Sequence, residues 1–153
     1  MKKLSLLCMF LLLFGLCACS QTKTDPNVIS TKYYTLALPD EWENKYICEI
    51  LDHDEGRYIL DLYERTSHEE MGAGKLCSIM LFTTKDATYK ELPEYELLAA
   101  LDTAEESYYV IALFPTDVQF SEATMEHYGV MFTQLPDVIH SIKPADGVEM
   151  AMP

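Results

Sequence analysis

Basic residues are scarce in this chain of 153. Eleven Lys and Arg stand against 25 Asp and Glu, for a formal charge of −14. A chain so acidic lacks the electrostatic footprint of a nucleic-acid binder and is repelled by anionic lipid headgroups. Glycine is sparse as well, with six residues, and none belongs to a phosphate-cradling loop. There is no Gly-x-Ser-x-Gly and no His-Glu-x-x-His, so the nucleophile elbow and the zincin helix are both missing. No Cys-x-x-Cys occurs, which leaves zinc and thioredoxin-like redox chemistry without support. The four histidines, His53, His68, His127 and His140, fall at no spacing that builds a metal set or a triad. No cofactor and no metal is implied. Long apolar runs are missing too: the longest, Leu4 to Leu16, is shorter than the roughly 20 residues that span a bilayer.

That short run is nevertheless the most informative stretch. Lys2 and Lys3 precede it, and Leu16-Cys17-Ala18-Cys19 follows. Charge, a short apolar core and then small residues form a secretory leader. An aliphatic residue, small residues and a cysteine form a lipobox. Cleavage between Ala18 and Cys19 then leaves a diacylated Cys19 as the mature N-terminus, since a thioether to the lipid requires a thiol. Cys17 is the poorer choice, because Gly15-Leu16 does not place the preferred small residue beside it. Two or three acyl chains anchor stably, at about 0.8 kcal/mol per buried CH2. The expected location is the extracytoplasmic face of the cell membrane, and the first partner is the bilayer itself.

Removing residues 1–18 leaves nine basic against 25 acidic residues, a charge of −16. Residues 19–30 comprise the lipidated cysteine and a polar tether. Residues 31–143 are long enough for one domain with a real core, and 144–153 reads as a loose tail. Cys48 and Cys77 remain within strand-like runs. They can form a disulfide only if their strands are neighbours; otherwise they are buried thiols.

Along the domain, Tyr33 to Leu38 alternates like a strand. Pro39-Asp40 ends it, and Trp42, the sole tryptophan, anchors the core beneath the turn or offers a ligand platform. Tyr46–Leu51 and Arg57–Tyr63 form a hairpin about Asp52-His53-Asp54-Glu55-Gly56. Asp52-x-Asp54-x-Gly56 has a faint likeness to a calcium loop but lacks its later ligands. Ser67-x-x-Glu70 has capping-box spacing, predicting a short helix from Ser67 to Met71 stopped by Gly72 and Gly74. His68 with its neighbouring glutamates is a minor metal alternative. Leu76–Phe82 is a strand, and Thr83–Glu91 a loop. Tyr95–Leu101 suits a helix by propensity, but its place before a polar turn and the strand Ser107–Phe114 favours a hairpin. Ser107–Phe114 is apolar on both sides, the mark of a central, covered strand. Ser121 is expected to cap a helix starting at Glu122. Met125, Tyr128, Phe132, Leu135, Ile139 and Ile142 form its apolar stripe, with Pro136 kinking or dividing it.

The fold class is therefore α+β: a mostly antiparallel sheet packed by a long C-terminal helix and a shorter one. The ten tyrosines bridge core and solvent, or share an exposed face as an adhesive surface.

Tyr34-Thr35-Leu36-Ala37-Leu38-Pro39-Asp40-Glu41-Trp42 resembles the opening of small lipoproteins of Gram-positive anaerobes. Tyr108 to Gln119, with Phe114-Pro115-Thr116-Asp117, also resembles them. Those proteins are similar to the PsbP-like α/β/α sandwich. The resemblance implies that fold and no activity. Within its motifs, Trp42, Tyr109 and Asp117 are the binding candidates, Asp117 being equally a loop residue that shapes the entry to the last helix. The chain reads as a non-enzymatic binding or accessory module in the cell envelope with a protein partner. The alternatives are a small-ligand binding lipoprotein and a hydrolase, which needs a nucleophile–base pair.

Overall fold

The computed structural model describes residues 27–53 and 57–153. The leader, the lipobox with Ala18 and Cys19, most of the tether, and Asp54, Glu55 and Gly56 of the calcium-like loop lie outside the described residues.

The chain runs β1 (Val28–Ser30), β2 (Tyr34–Ala37), β3 (Tyr46–His53), β4 (Arg57–Glu64), α1 (Arg65–Met71), β5 (Lys75–Thr83), β6 (Tyr95–Asp102), β7 (Ser107–Leu113), α2 (Met125–His140), β8 (Lys143–Pro144) and β9 (Glu149–Ala151). It is α+β, and every strand pair is antiparallel. The main sheet has six strands in the order β3-β4-β5-β7-β6-β9, and a small sheet has the order β1-β2-β8. The sequence-predicted hairpins β3–β4 and β6–β7 both form, and β7 lies inside the sheet between β5 and β6.

One face of the main sheet carries Leu60, Leu62, Cys77, Ile79, Leu81, Val110, Ala112 and Leu101. It packs against α2 and the small sheet, with Tyr34, Leu36, Trp42, Tyr128, Leu135 and Ile139 in the same core. The register produces this face: Leu60 stands opposite Ile79, and Ile79 opposite Ala112. The intervening residues form the second face, with Leu51, Ile59, Met80, Ile111 and Leu97 aligned in one cross-strand row. A loop covers part of it, placing buried Tyr89 against Phe82, Tyr95 and Tyr109.

Several expectations need correction. The domain begins before residue 31, because Val28–Ser30 of the expected tether pairs with β2. The expected loose tail is partly structured: Pro144 pairs with Tyr34, and Glu149–Ala151 extends the main sheet beside β6. Apolar Val148 and Met150 pack against the core and hold the tail there. The last helix starts at Met125 rather than Glu122, after Thr124, and continues through Pro136 without division. Its buried stripe is Tyr128, Met131, Leu135, Val138 and Ile139. Met125 and Phe132, expected inside, are exposed, because the apolar residues of α2 outnumber the positions on its buried face.

Helix α1 is capped by Glu64, not Ser67. The Glu64 carboxylate accepts from Thr66 N (2.9 Å) and Ser67 N (2.6 Å). Ser67 is drawn inward and donates to Thr124 Oγ1 at 2.9 Å, linking α1 to the start of α2. Gly72 ends the helix in the left-handed region, with φ 66°. Gly74 has no substitute: a Cβ there would lie 2.6 Å from the Glu64 carbonyl oxygen. Cys48 and Cys77 are free thiols. They sit on β3 and β5 with β4 between them, so the neighbouring-strand condition for a disulfide is not met. Burial pushes the Cys48 thiol up to about 11 and Cys77 to about 12, and neither is a ready nucleophile.

Burial alone would raise the Glu64 carboxyl. Hydrogen bonds from Ser67 and Thr66 outweigh burial and hold it below its ordinary 4.5. A carboxyl lowered on folding adds stability that is full above its unfolded value and lost as pH falls through the folded one. Glu64→Ala is therefore expected to cost about 2 kcal/mol at neutral pH, read from urea unfolding. The difference from wild type should shrink as pH falls below 4.5; a difference that stays constant with pH would contradict the cap.

Candidate functional site

Polar groups on a sheet face need partners, and the second face supplies one cluster of them. Asp61 of β4 stands directly opposite Ser78 of β5, and both are buried. Ser78 Oγ donates a short hydrogen bond to Asp61 Oδ1. Tyr63 OH donates to Asp61 Oδ2 at 3.2 Å, and Lys75 Nζ lies 3.1 Å from the same oxygen. The ammonium also reaches Ser78 Oγ at 3.4 Å and sits 5.3 Å from the centre of the Tyr63 ring. A register shift between Leu62 and Tyr63, where Lys75 pairs with Tyr63, brings the lysine beside the carboxylate. The His68 ring lies 4.3 Å from that of Tyr63, with Nε2 3.6 Å from Glu49 Oε1.

Tyr63, Lys75 and Ser78 of this cluster line an open cavity of about 470 Å³, together with Phe114, Pro115, Asp117 and Gln119. Gln119 fixes that loop. Its carbonyl accepts from Gly74 N at 2.8 Å, and its Oε1 accepts from Lys75 N at 3.2 Å. Its amide also donates to Asp117 Oδ1 at 3.0 Å. The glycine that permits the close approach to Glu64 thus also positions the cavity rim.

Burial works to lower the Lys75 ammonium, but its hydrogen bond and charge pairing with Asp61 prevail and raise it above its ordinary value. It is a cation and donor, not a base. Ser78 gives its proton to a carboxylate that two further donors already engage. A serine nucleophile needs a free base to take that proton, and among the described residues the carboxylate bonded to Ser78 is the already engaged Asp61. The arrangement is satisfied and charge-balanced, with Lys75 more exposed than Asp61.

The three binding candidates are not brought together. Trp42 is 1% exposed, and its Nε1 donates to Gln134 Oε1 of α2 at 2.7 Å; it anchors the core and reaches only the wall of a separate cavity of about 160 Å³. Tyr109 is half-buried against Tyr89, outside the cavity. Asp117 does line the cavity. The tyrosines divide likewise: Tyr34 and Tyr58 are buried, with Tyr33 and Tyr108 packed beside them, so they do not make one exposed adhesive face. His140 meets Glu96 at 2.6 Å on the surface. Among the described residues, no group of three or more His, Cys, Asp or Glu could hold a metal ion.

Asp61, Ser78 and Lys75 escaped the sequence reading. The available signal was a lone carboxylate and a lone hydroxyl, each inside an apolar strand run, since buried polar groups demand a partner. No family model matches this chain, and neither a curated protein nor a solved structure matches it.

Removing the lysine leaves a buried carboxylate with two neutral donors. Breaking a fully buried pair costs about 3–5 kcal/mol; Lys75→Met should cost roughly 2 kcal/mol because the lysine is partly exposed. Adding Asp61→Asn should recover most of that loss in urea unfolding. A double variant no more stable than Lys75→Met alone would show that the charge pair is not the organising interaction.

Proposed function

We propose that this chain is a lipid-anchored lipoprotein on the extracytoplasmic face of the cell membrane. There it serves as a non-enzymatic binding or accessory module with a protein partner in the envelope. The observation that carries this reading is Leu16-Cys17-Ala18-Cys19 after a charged, short apolar leader. The start of the fold agrees with it. Pairing begins at Val28, nine residues beyond Cys19, so the domain stays within about 30 Å of the anchor. The charge keeps the domain off the anionic bilayer surface. The proton arrangement around Ser78 favours binding over hydrolysis.

We also assign the chain, by resemblance, to the small lipoproteins of Gram-positive anaerobes with a PsbP-like sandwich. The antiparallel sheet with α2 packed on one face is compatible with that; α1 contributes the contact of His68 with Tyr63. A second reading, a small-ligand binding lipoprotein, is favoured by the cavity of about 470 Å³ with Lys75 and Asp117 in its walls. It predicts a melting temperature that rises with ligand concentration.

Cys19→Ala should leave the fold unchanged and abolish membrane retention of a processed form. Fractionation with a mass measurement of the mature N-terminus checks this. A mutant still found in membranes at mature, lipidated mass would remove the lipobox reading.

A further inference from the structure

We propose that the outer edge of β3 is a docking site for an extended, basic segment of a partner protein, which adds to the main sheet as a further strand. The proposal deepens the accessory-module reading and rests on it for the nature of the partner.

The backbone geometry comes first. Glu64 N donates to Gly74 O, away from β3. Backbone groups alternate in direction along an antiparallel strand, so those of Tyr63, Asp61 and Ile59 point toward β3. Their partners Ile47, Glu49 and Leu51 point back. The N–H and C=O groups of Cys48, Ile50 and Asp52 therefore point outward, and among the described residues no strand lies beyond them. The preceding outward carbonyl, of Tyr46, is already taken by Arg65 Nη2 at 3.0 Å. The free edge thus has a defined start.

The surroundings fit an added strand. A groove of about 570 Å³ runs along the first half of β3, lined by Glu43, Asn44, Tyr46, Ile47, Cys48 and Arg65. Arg65 Nε holds the Asn44 carbonyl at 2.9 Å, fixing the wall, and Asn44 itself sits in the left-handed region at φ 61°. Further along, Ile50 and Leu51 project from opposite faces, each 46% exposed. Apolar contacts are thus available to both faces of an incoming strand. Native sheets normally blunt such edges with proline, charged side chains, a bulge or brevity. Strand β3 has eight residues, contains no Pro and no Lys, keeps an unbroken register with β4, and carries only the acidic charges of Glu49 and Asp52, which do not repel a basic strand. The strand at the opposite edge, β9, is by contrast only three residues long.

Charge selects the occupant. Asp52 is offset by Lys32 at 2.7 Å, and Arg65 is committed to Glu69 and two backbone carbonyls. What remains is exposed Glu43 and Glu49, set against exposed Lys45 and against His68 at 3.6 Å from Glu49, within a chain charge of −14. These favour a basic segment and repel a second copy of the chain. Backbone pairing supplies affinity, and alternate side chains entering the groove supply specificity.

The test uses the full chain in nonionic detergent micelles and a capped nine-residue peptide of alternating Lys and Val. The expected result is saturable binding with exchange of the Cys48, Ile50 and Asp52 amides slowed at least tenfold. A twin with Glu for Lys, and a twin N-methylated throughout, should not bind. Ile50→Pro removes one outward N–H without touching the β4 ladder and should weaken binding at least tenfold while unfolding near the wild-type midpoint. If Ile50→Pro does not fold, the N-methylated peptide decides. Three results overturn the proposal: no binding of the Lys–Val peptide, equal binding of the N-methylated twin, or protection elsewhere than β3. Protection of β3 without peptide, together with a dimer mass, would make a second copy the occupant and also overturn it. A chain that binds the peptide but is not retained by membranes keeps the docking edge and loses the anchor. A lipidated chain indifferent to the peptide does the reverse.

Discussion

Everything in this fold depends on the register between β4 and β5. Slipping one strand by a single residue exchanges its two faces. Leu60 and Leu62 would leave the core, and Asp61 would face α2. The opposition of Asp61 to Ser78 makes that slip costly, because the carboxylate would lose its hydroxyl, phenol and ammonium donors at once. A polar contact worth little in net energy is therefore effective in excluding alternatives, which is the best-supported role of buried polar groups. The hydrophobic face alone would accept more than one alignment of these Leu- and Ile-rich strands.

The same register delivers the chain to the corner where β4 ends. There Glu64 closes three connections: its side chain caps α1, its N–H reaches Gly74, and its carbonyl oxygen lies so near Gly74 that no side chain fits. Gly74 in turn bonds the carbonyl of Gln119, which positions the loop carrying Asp117. Cavity wall and cavity rim thus come from segments more than 40 residues apart, joined through one glycine. Ser67 and Thr124 extend the junction to the start of α2.

Much of the strand pattern was legible in the sequence because alternation and turn residues are local signals. Tyr95–Asp102 is the clearest case: leucine-rich propensity pointed to a helix, while the short turn before Ser107 pointed correctly to a hairpin. The misplaced features share a different cause. Ser67 had capping-box spacing, yet Glu64 took the cap because the preceding strand set its carboxylate against two free amides. The tail looked loose because three residues carry too little pattern, although Val148 and Met150 find the core through contacts distant in sequence. The grouping of Asp61, Ser78 and Lys75 was hidden for the same reason, although Asp61 and Ser78 each stood out as a polar residue in an apolar run. Only the register makes them neighbours.

Charge and topology combine in the remaining feature, the open edge of β3. An eight-residue edge with outward backbone groups and exposed Ile50 and Leu51 ordinarily invites self-association. In a neutral protein that risk would have to be met locally, by proline, lysine or a bulge. Here the protection is global: copies of a chain carrying −14 repel one another before their edges can align. Such protection is selective in a way that a local block is not. A proline at the edge refuses every strand, whereas a negative field refuses only negative ones. The scarcity of basic residues thus lets an open edge persist while leaving it available to the proposed partner of opposite sign. At short range the field then adds to the pairing instead of opposing it, so encounter rate and affinity both favour that partner.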